Sequence, residues 1–158
     1  METFEPWSPA RTEAIIAPLV TREGALLPIL HALQDTFGCV PREAVPLVAA
    51  ALNLSRAEVH GVVTFYHDFR EAPHGRRVVK LCRAESCQAM GAEAAGRFLL
   101  AALGLPSGEP WGGTTADGAV TVEAVYCLGL CAVSPAALID GEPRGRVDGV
   151  TLAEAVGA

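Results

Sequence analysis

The chain has 158 residues, 51% of them hydrophobic, with a mean hydropathy of +0.32, enough to build a packed core and too apolar for a disordered tail. Its net charge is −6; residues 1–74 hold 5 basic and 9 acidic side chains and residues 75–158 hold 7 and 9, so neither part offers a phosphate-binding face and nucleic acid is not an expected partner. No apolar run reaches the roughly 18–20 residues that cross a bilayer; the acidic stretch METFEPW lacks a basic region followed by an apolar one, so no secretory leader is expected, and a cytoplasmic location with reduced thiols and no membrane insertion is expected.

Residues 1–23 carry Pro6, Pro9 and Pro18 and read as an N-terminal arm, loosely ordered, with Phe4 and Trp7 as possible anchors. From Gly24 a helical period appears: Leu26, Ile29, Leu30, Leu33 and Phe37 form one apolar stripe. Gly38 supplies its left-handed stop. A second helix is expected from Val40-Pro41 to about Leu52, with Pro46 forcing either a late regular start or an irregular first turn. Ser55-Arg56-Ala57-Glu58 is a capping box, so a third helix starts at Arg56 and runs toward Phe65-Tyr66. Residues 24–72 therefore read as a small helical bundle. The segment from Glu71 to Gly75 is the expected boundary.

A second unit, residues 76–158, follows with a different period. Residues 77–81 form a β-rich run ending at Cys82, with Cys87 in the loop after it and a helix over about 90–103. A Gly-rich connection covers 110–115. Asp117-Gly118 marks a turn, and residues 119–126 alternate as a strand that delivers Cys127. Residues 136–139 make another strand, Asp140-Gly141 the turn out of it, 144–147 its hairpin partner, and 152–156 a final helix. The order β-α-β-β-β-α implies an α/β fold, one sheet with flanking helices. Both cysteine pairs follow strand ends; neighbouring strands would place their loops at one sheet edge.

Four residues separate Cys82 from Cys87, and three separate Cys127 from Cys131. Four thiols on two loops suit either a 2Fe–2S cluster or a structural zinc, and spacing alone allows both. No C-x-x-C occurs, which removes a thioredoxin-type dithiol. The small flanking residues Ala84, Ser86, Ala89, Gly129 and Ala132 favour a cluster, because backbone N–H groups can approach its sulfides. Arg83 is expected to bring its charge near the centre and favour the reduced state. Cys39 reads as a small buried apolar residue. His31 fits helix packing, and His60, His67 and His74 carry no ligand pattern. No nucleophile–base pair, phosphate loop or substrate site stands out, so the chain is expected to be no enzyme by itself.

The C-x4-C and C-x3-C loops behind a helical leader resemble the thioredoxin-like 2Fe–2S ferredoxins, including the small flavoprotein-partner subunit of respiratory complex I and its counterparts in NAD-reducing hydrogenases and formate dehydrogenases. The runs at 27–41 (LPILHALQDTFGCVP) and 58–66 (EVHGVVTFY) look like that family's helical domain. The runs at 82–91 (CRAESCQAMG) and 126–135 (YCLGLCAVSP) look most like the gamma subunit of NAD-dependent formate dehydrogenase. His60, where complex I members often have an aromatic, and Pro46 depart from the pattern without touching the thiols. The resemblance implies a thioredoxin-like sheet preceded by a helical bundle, and one 2Fe–2S cluster ligated by Cys82, Cys87, Cys127 and Cys131. It implies an electron-transfer protein that exchanges single electrons with the flavin of a partner. FMN, NAD and a molybdenum or tungsten cofactor are expected only in partner subunits: a flavin-bearing NAD-binding subunit, docked through residues 24–70, and a formate-oxidising subunit. The equivalent subunit of complex I or of an NAD-reducing hydrogenase is the alternative. A zinc-stapled assembly module is the alternative of another class.

Overall fold

The computed structural model describes residues 4–108 and 111–158. Residues 1–3 of the expected arm, and Pro110 of the expected Gly-rich connection, lie outside the described residues. The chain divides into two compact units, one ending at Pro73 and one spanning His74–Ala158.

The first unit is helical. Its opening helix, α1 (Pro9–Ile16), replaces the irregular arm expected from the prolines. Pro9 occupies the first turn, where no intrahelical N–H bond is lost, and Ser8 caps it by accepting from Arg11 N. Ile15 and Ile16 enter the same core as Ile29, Leu30, Leu33 and Phe37 of α2 (Leu26–Phe37). Gly38 stops α2 at φ 75°, as its sequence position predicts. The expected second helix splits: a 3₁₀ turn, Arg42–Ala44, precedes α3 (Val45–Leu52), with Pro46 inside the first turn of α3 where it is tolerated. α4 (Arg56–Phe65) opens on the expected capping box, Glu58 N donating to Ser55 Oγ at 3.1 Å and Ser55 N to Glu58 Oε2 at 2.8 Å. The Gln34 amide then holds the segment after α4, donating to Asp68 O at 2.8 Å and accepting from Arg70 N at 2.7 Å.

The second unit is a five-stranded sheet with helices packed on it. In chain order it contains β1 (Arg77–Cys82), α5 (Glu85–Ala89), α6 (Ala92–Ala102), β2 (Gly113–Thr114), β3 (Val120–Val125), β4 (Ala136–Ile139), β5 (Glu142–Gly145) and α7 (Gly149–Val156). The strand order is β2-β3-β1-β4-β5, and only β1 and β3 are parallel. The helices α5 and α6 make the crossover that a parallel pair requires. Val79 and Leu81 of β1, Val120 and Val122 of β3, Leu99 and Leu100 of α6 and Leu152 of α7 form the core. Among the described residues no helix is long and apolar enough to cross a membrane.

Four boundaries differ from the expectation, each for a local reason. Cys87 is not in an open loop but on the single-turn helix α5, and Gly91 at φ 99° delays the next helix to Ala92. The Gly-rich connection contains a two-residue edge strand, β2, paired with β3. The hairpin partner of β4 is 142–145 rather than 144–147, because Asp140 (φ 52°) and Gly141 (φ 84°) form a two-residue left-handed turn that puts Glu142 opposite Ile139. The last helix begins at Gly149, three residues early, because Asp148 caps it by accepting from Thr151 N at 2.8 Å.

Candidate metal centre

The parallel register decides where the thiols go. Cys82, the last residue of β1, pairs with Val125, the last residue of β3, and Cys127 follows two positions later. Both cysteine-bearing loops therefore leave the sheet at one edge, as neighbouring strands would require. All five cysteines are free thiols. Cys82 and Cys87 are each 2% exposed and pack with Ala92 and Ala136. Cys127 and Cys131 are exposed. The site thus has a dry pair and a wet pair.

The Sγ atoms of Cys127 and Cys131 lie 3.9 Å apart, and Cys82 and Cys87 are near enough that each thiol influences the other's ionisation. The loops also meet each other through backbone donors. The N–H groups of Cys127 and Leu128, from the second loop, point at Cys82 Sγ, as does that of Ala84 from the first. Gly129 N donates to Cys127 Sγ at 3.4 Å, and the Ala136 N–H reaches Cys87. The turn that permits this has Cys127 at φ 76° and Gly129 also at φ 76°. A left-handed cysteine is uncommon and costs on the order of 1 kcal/mol or more.

These contacts set the titration of the thiols in the absence of a bound group. Burial raises Cys82, but the three amide donors and the Cys87 thiol outweigh it, and the net shift is downward. Cys87 is raised by burial and by its bond to Cys82. Cys131 is raised chiefly by its bond to Cys127, with the charge of Cys82 adding to it. The four thiols come as two pairs, one buried and one exposed, on loops that leave the sheet at one edge. That donor set fits a binuclear iron–sulfur group, in which each iron takes two thiolates and the sulfurs accept backbone hydrogen bonds.

The other candidates have partners of their own. Cys39 is buried in the helical unit. His31 stacks on Phe69 at 4.9 Å between ring centroids. Arg83 follows Cys82, yet its guanidinium lies 4.6 Å from the centroid of the Trp111 ring and its Nη2 is 3.2 Å from Glu93 Oε2. Its charge is therefore shared with Glu93 rather than presented alone. One contact at the centre is not foreshadowed by the sequence pattern, in which Ser86 counts only as a small residue. Ser86 and Ser134, one from each loop, place their hydroxyl oxygens 2.8 Å apart. A Ser-Pro step three residues past the last cysteine was the available signal for the second of them.

The family described as thioredoxin-like [2Fe-2S] ferredoxin matches residues 12–158. The chain belongs to this ferredoxin family. Among its relatives, an NADH-quinone oxidoreductase subunit of Rhizobium meliloti (strain 1021) is 35% identical over 140 residues, 89% of this chain and 81% of that protein. The NADP-reducing hydrogenase subunit HndA of Solidesulfovibrio fructosivorans is 30% identical over 132 residues, 84% of this chain and 75% of that protein. The crystal structure of an air-oxidised NAD+-reducing [NiFe]-hydrogenase superposes with a TM-score of 0.69 at 27% identity, over 84% of this chain. This ferredoxin spans 22% of that hydrogenase chain. Membership of the family supports one 2Fe–2S cluster as the cofactor.

Proposed function

We propose that Cys82, Cys87, Cys127 and Cys131 ligate one 2Fe–2S cluster, and that the chain is an electron-transfer subunit, not a catalyst by itself, of an NAD-linked oxidoreductase complex in the cytoplasm. The observation that carries this is the convergence of two dithiol loops at one sheet edge with backbone N–H groups aimed at sulfur. When bound, such a cluster takes up and returns one electron at a time.

The rest of the site follows from this chain's own residues. The N–H groups of Ala84, Cys127 and Leu128 stabilise negative charge on the Cys82 sulfur. The buried pair excludes water from one side, and the exposed pair, beside the 73%-exposed Tyr126, leaves the other side open to a redox partner. Residues 24–72 serve as the docking domain and 76–158 as the cluster domain. The exposed rings of Phe65 and Tyr66, 73% and 45% exposed, are the apolar anchors within the 24–70 segment for a flavin-bearing, NAD-binding subunit.

Within this class we assign the chain to an NAD-dependent formate dehydrogenase, beside a formate-oxidising subunit that carries molybdenum or tungsten. What supports the assignment is the content of the two loops, Arg83 to Ser86 and Leu128 to Leu130. The second reading, the equivalent subunit of a quinone-reducing NADH dehydrogenase or a pyridine-nucleotide-linked hydrogenase, is favoured by what the two similar proteins are called. Purification of the native complex separates them. Formate-dependent NAD reduction is expected; hydrogen- or quinone-linked turnover without formate activity overturns the assignment. The purified chain is expected to be red-brown and to bleach with dithionite to a paramagnetic form. Colourless protein that holds zinc after anaerobic iron and sulfide reconstitution would establish the assembly module instead.

A further inference from the structure

The two cysteine loops are joined by groups other than thiols. Ser86 precedes Cys87 on α5, and Ser134 follows the 3₁₀ turn Cys131–Val133. Ser134 Oγ lies 2.5 Å from the carbonyl oxygen of Cys131 and 2.8 Å from Ser86 Oγ. Ser86 Oγ reaches the same carbonyl only at 3.4 Å. Each hydroxyl has one proton to give. The shortest contact assigns the Ser134 proton to the Cys131 carbonyl, so Ser134 Oγ is left as an acceptor and the Ser86 proton goes to it. The outcome is a directed relay of hydrogen bonds, from the first loop through Ser134 to the backbone of the second.

The second loop depends on such bonds. The turn Cys131–Val133 buries no residue, and both of the loop's cysteines are exposed. Apolar packing holds the first half of the loop, where Leu128 and Leu130 lie against Cys82 and Cys87, but the Cys131–Val133 turn itself buries no residue. Its backbone is otherwise fixed by Val133 N to Leu130 O at 3.0 Å and Arg146 N to Val133 O at 2.7 Å. Neither of these ties the Cys131 turn to the loop that carries Cys82 and Cys87; the amides that reach those thiols, from Cys127, Leu128 and Ala136, lie on either side of the turn. Ser134 is 9% exposed, which limits the access of a substituting water.

We propose that Ser86 and Ser134 act as positioning residues, a hydroxyl clamp that holds the Cys131 turn against the Cys82–Cys87 loop and so sets how long the centre retains its iron and sulfide. The clamp rests on the four-cysteine reading above. Two measurements on the full-length chain keep their failures apart.

The first uses metal-free protein: amide hydrogen exchange across residues 131–134 in the wild type and in Ser134→Ala, Ser134→Thr, Ser86→Ala and the double alanine variant. The second follows the loss of visible absorbance to an iron chelator after anaerobic reconstitution of the same five proteins. Ser134→Ala is expected to speed both processes roughly two- to tenfold, the loss of one or two ordinary hydrogen bonds. Ser134→Thr keeps the hydroxyl and is expected to restore the wild-type rates. Ser86→Ala is expected to give a smaller effect, and the double variant to be no faster than Ser134→Ala, because Ser86 acts through Ser134. Wild-type rates in Ser134→Ala, additive effects in the double variant, or a threonine variant as fast as the alanine one would each overturn the clamp. A wild-type chain that takes up no cluster, while exchange still responds to the substitutions, overturns the ligand reading and the clamp's role in retention together.

Discussion

The contact of Arg83 with Trp111 and Glu93 can be tested quantitatively. Arg83→Ala removes a guanidinium 4.6 Å from the indole centroid and 3.2 Å from the Glu93 carboxylate. The Arg83 side chain is 19% exposed, so the cation–π contact is partly desolvated and is worth about 0.5–1 kcal/mol or somewhat more. Glu93 is 42% exposed, and its ion pair is discounted accordingly to between zero and about 1 kcal/mol. Together the loss is about 1–2 kcal/mol, and each kcal/mol lowers the melting point of a unit this size by about 4–8 °C. Denaturant titrations of Arg83→Ala, Trp111→Leu and the double variant isolate the pair. A coupling energy of about 0.5–1 kcal/mol is expected. Additivity within about 0.3 kcal/mol would refute the argument, because independent sites behave that way. Voltammetry tests the electrostatic role separately. Loss of the cation disfavours the more negative reduced centre, so the midpoint potential should fall in Arg83→Ala and rise in Glu93→Gln. An unchanged potential in both variants would show that neither charge is felt at the centre.

Three further outcomes are expected. Alanine at Cys82, Cys87, Cys127 or Cys131 should abolish the visible absorption of the reconstituted chain, whereas Cys39→Ala, which removes a thiol buried in the helical unit, should leave the spectrum intact. Gly112→Ala forces a β-carbon into the Val122 carbonyl oxygen at φ 82°, so it should destabilise the sheet unit by about 1–3 kcal/mol in denaturant melts and open the β2–β3 edge to hydrogen exchange. Asp148 is held below its ordinary carboxylate range, first by the Thr151 amide and then by the Thr151 hydroxyl. Its folded value lies below its unfolded value of about 3.9, so its contribution is full above that pH and is lost as the pH falls through the depressed value. Asp148→Asn should therefore flatten the acid limb of the stability profile below about pH 4, measured by thermal melts of the metal-free chain.

Much of the centre was legible because its requirements are local. Four cysteines at short spacing, each pair after a β-rich run, indicate which thiols share a sheet edge without any tertiary information. The Ser55–Glu58 box and Gly38 were equally readable, since a cap and a left-handed stop are decided within one turn. The missed features depend on partners distant in sequence or on a balance of two local rules. Pro9 looks like a helix breaker until Ser8 is seen to cap the turn in which it stands. The β2 strand has two residues and exists only because β3 offers it an edge. Cys127 takes a left-handed backbone that no residue-type preference announces. The bond between Ser86 and Ser134 joins two loops that only the β1–β3 register brings together.

That register also governs assembly. The two dithiols are separated in the chain by α6, β2 and β3, so they share one neighbourhood only after β1 and β3 have paired. A nascent chain lacking this pairing offers two separate bidentate clips, either of which can pick up a metal ion but not build the four-thiolate centre. Non-local parallel pairing is among the slower events in folding. On the proposed four-cysteine ligation, a bound cluster would draw the equilibrium toward the finished sheet by mass action, and its uptake would report on molecules that have paired β1 with β3.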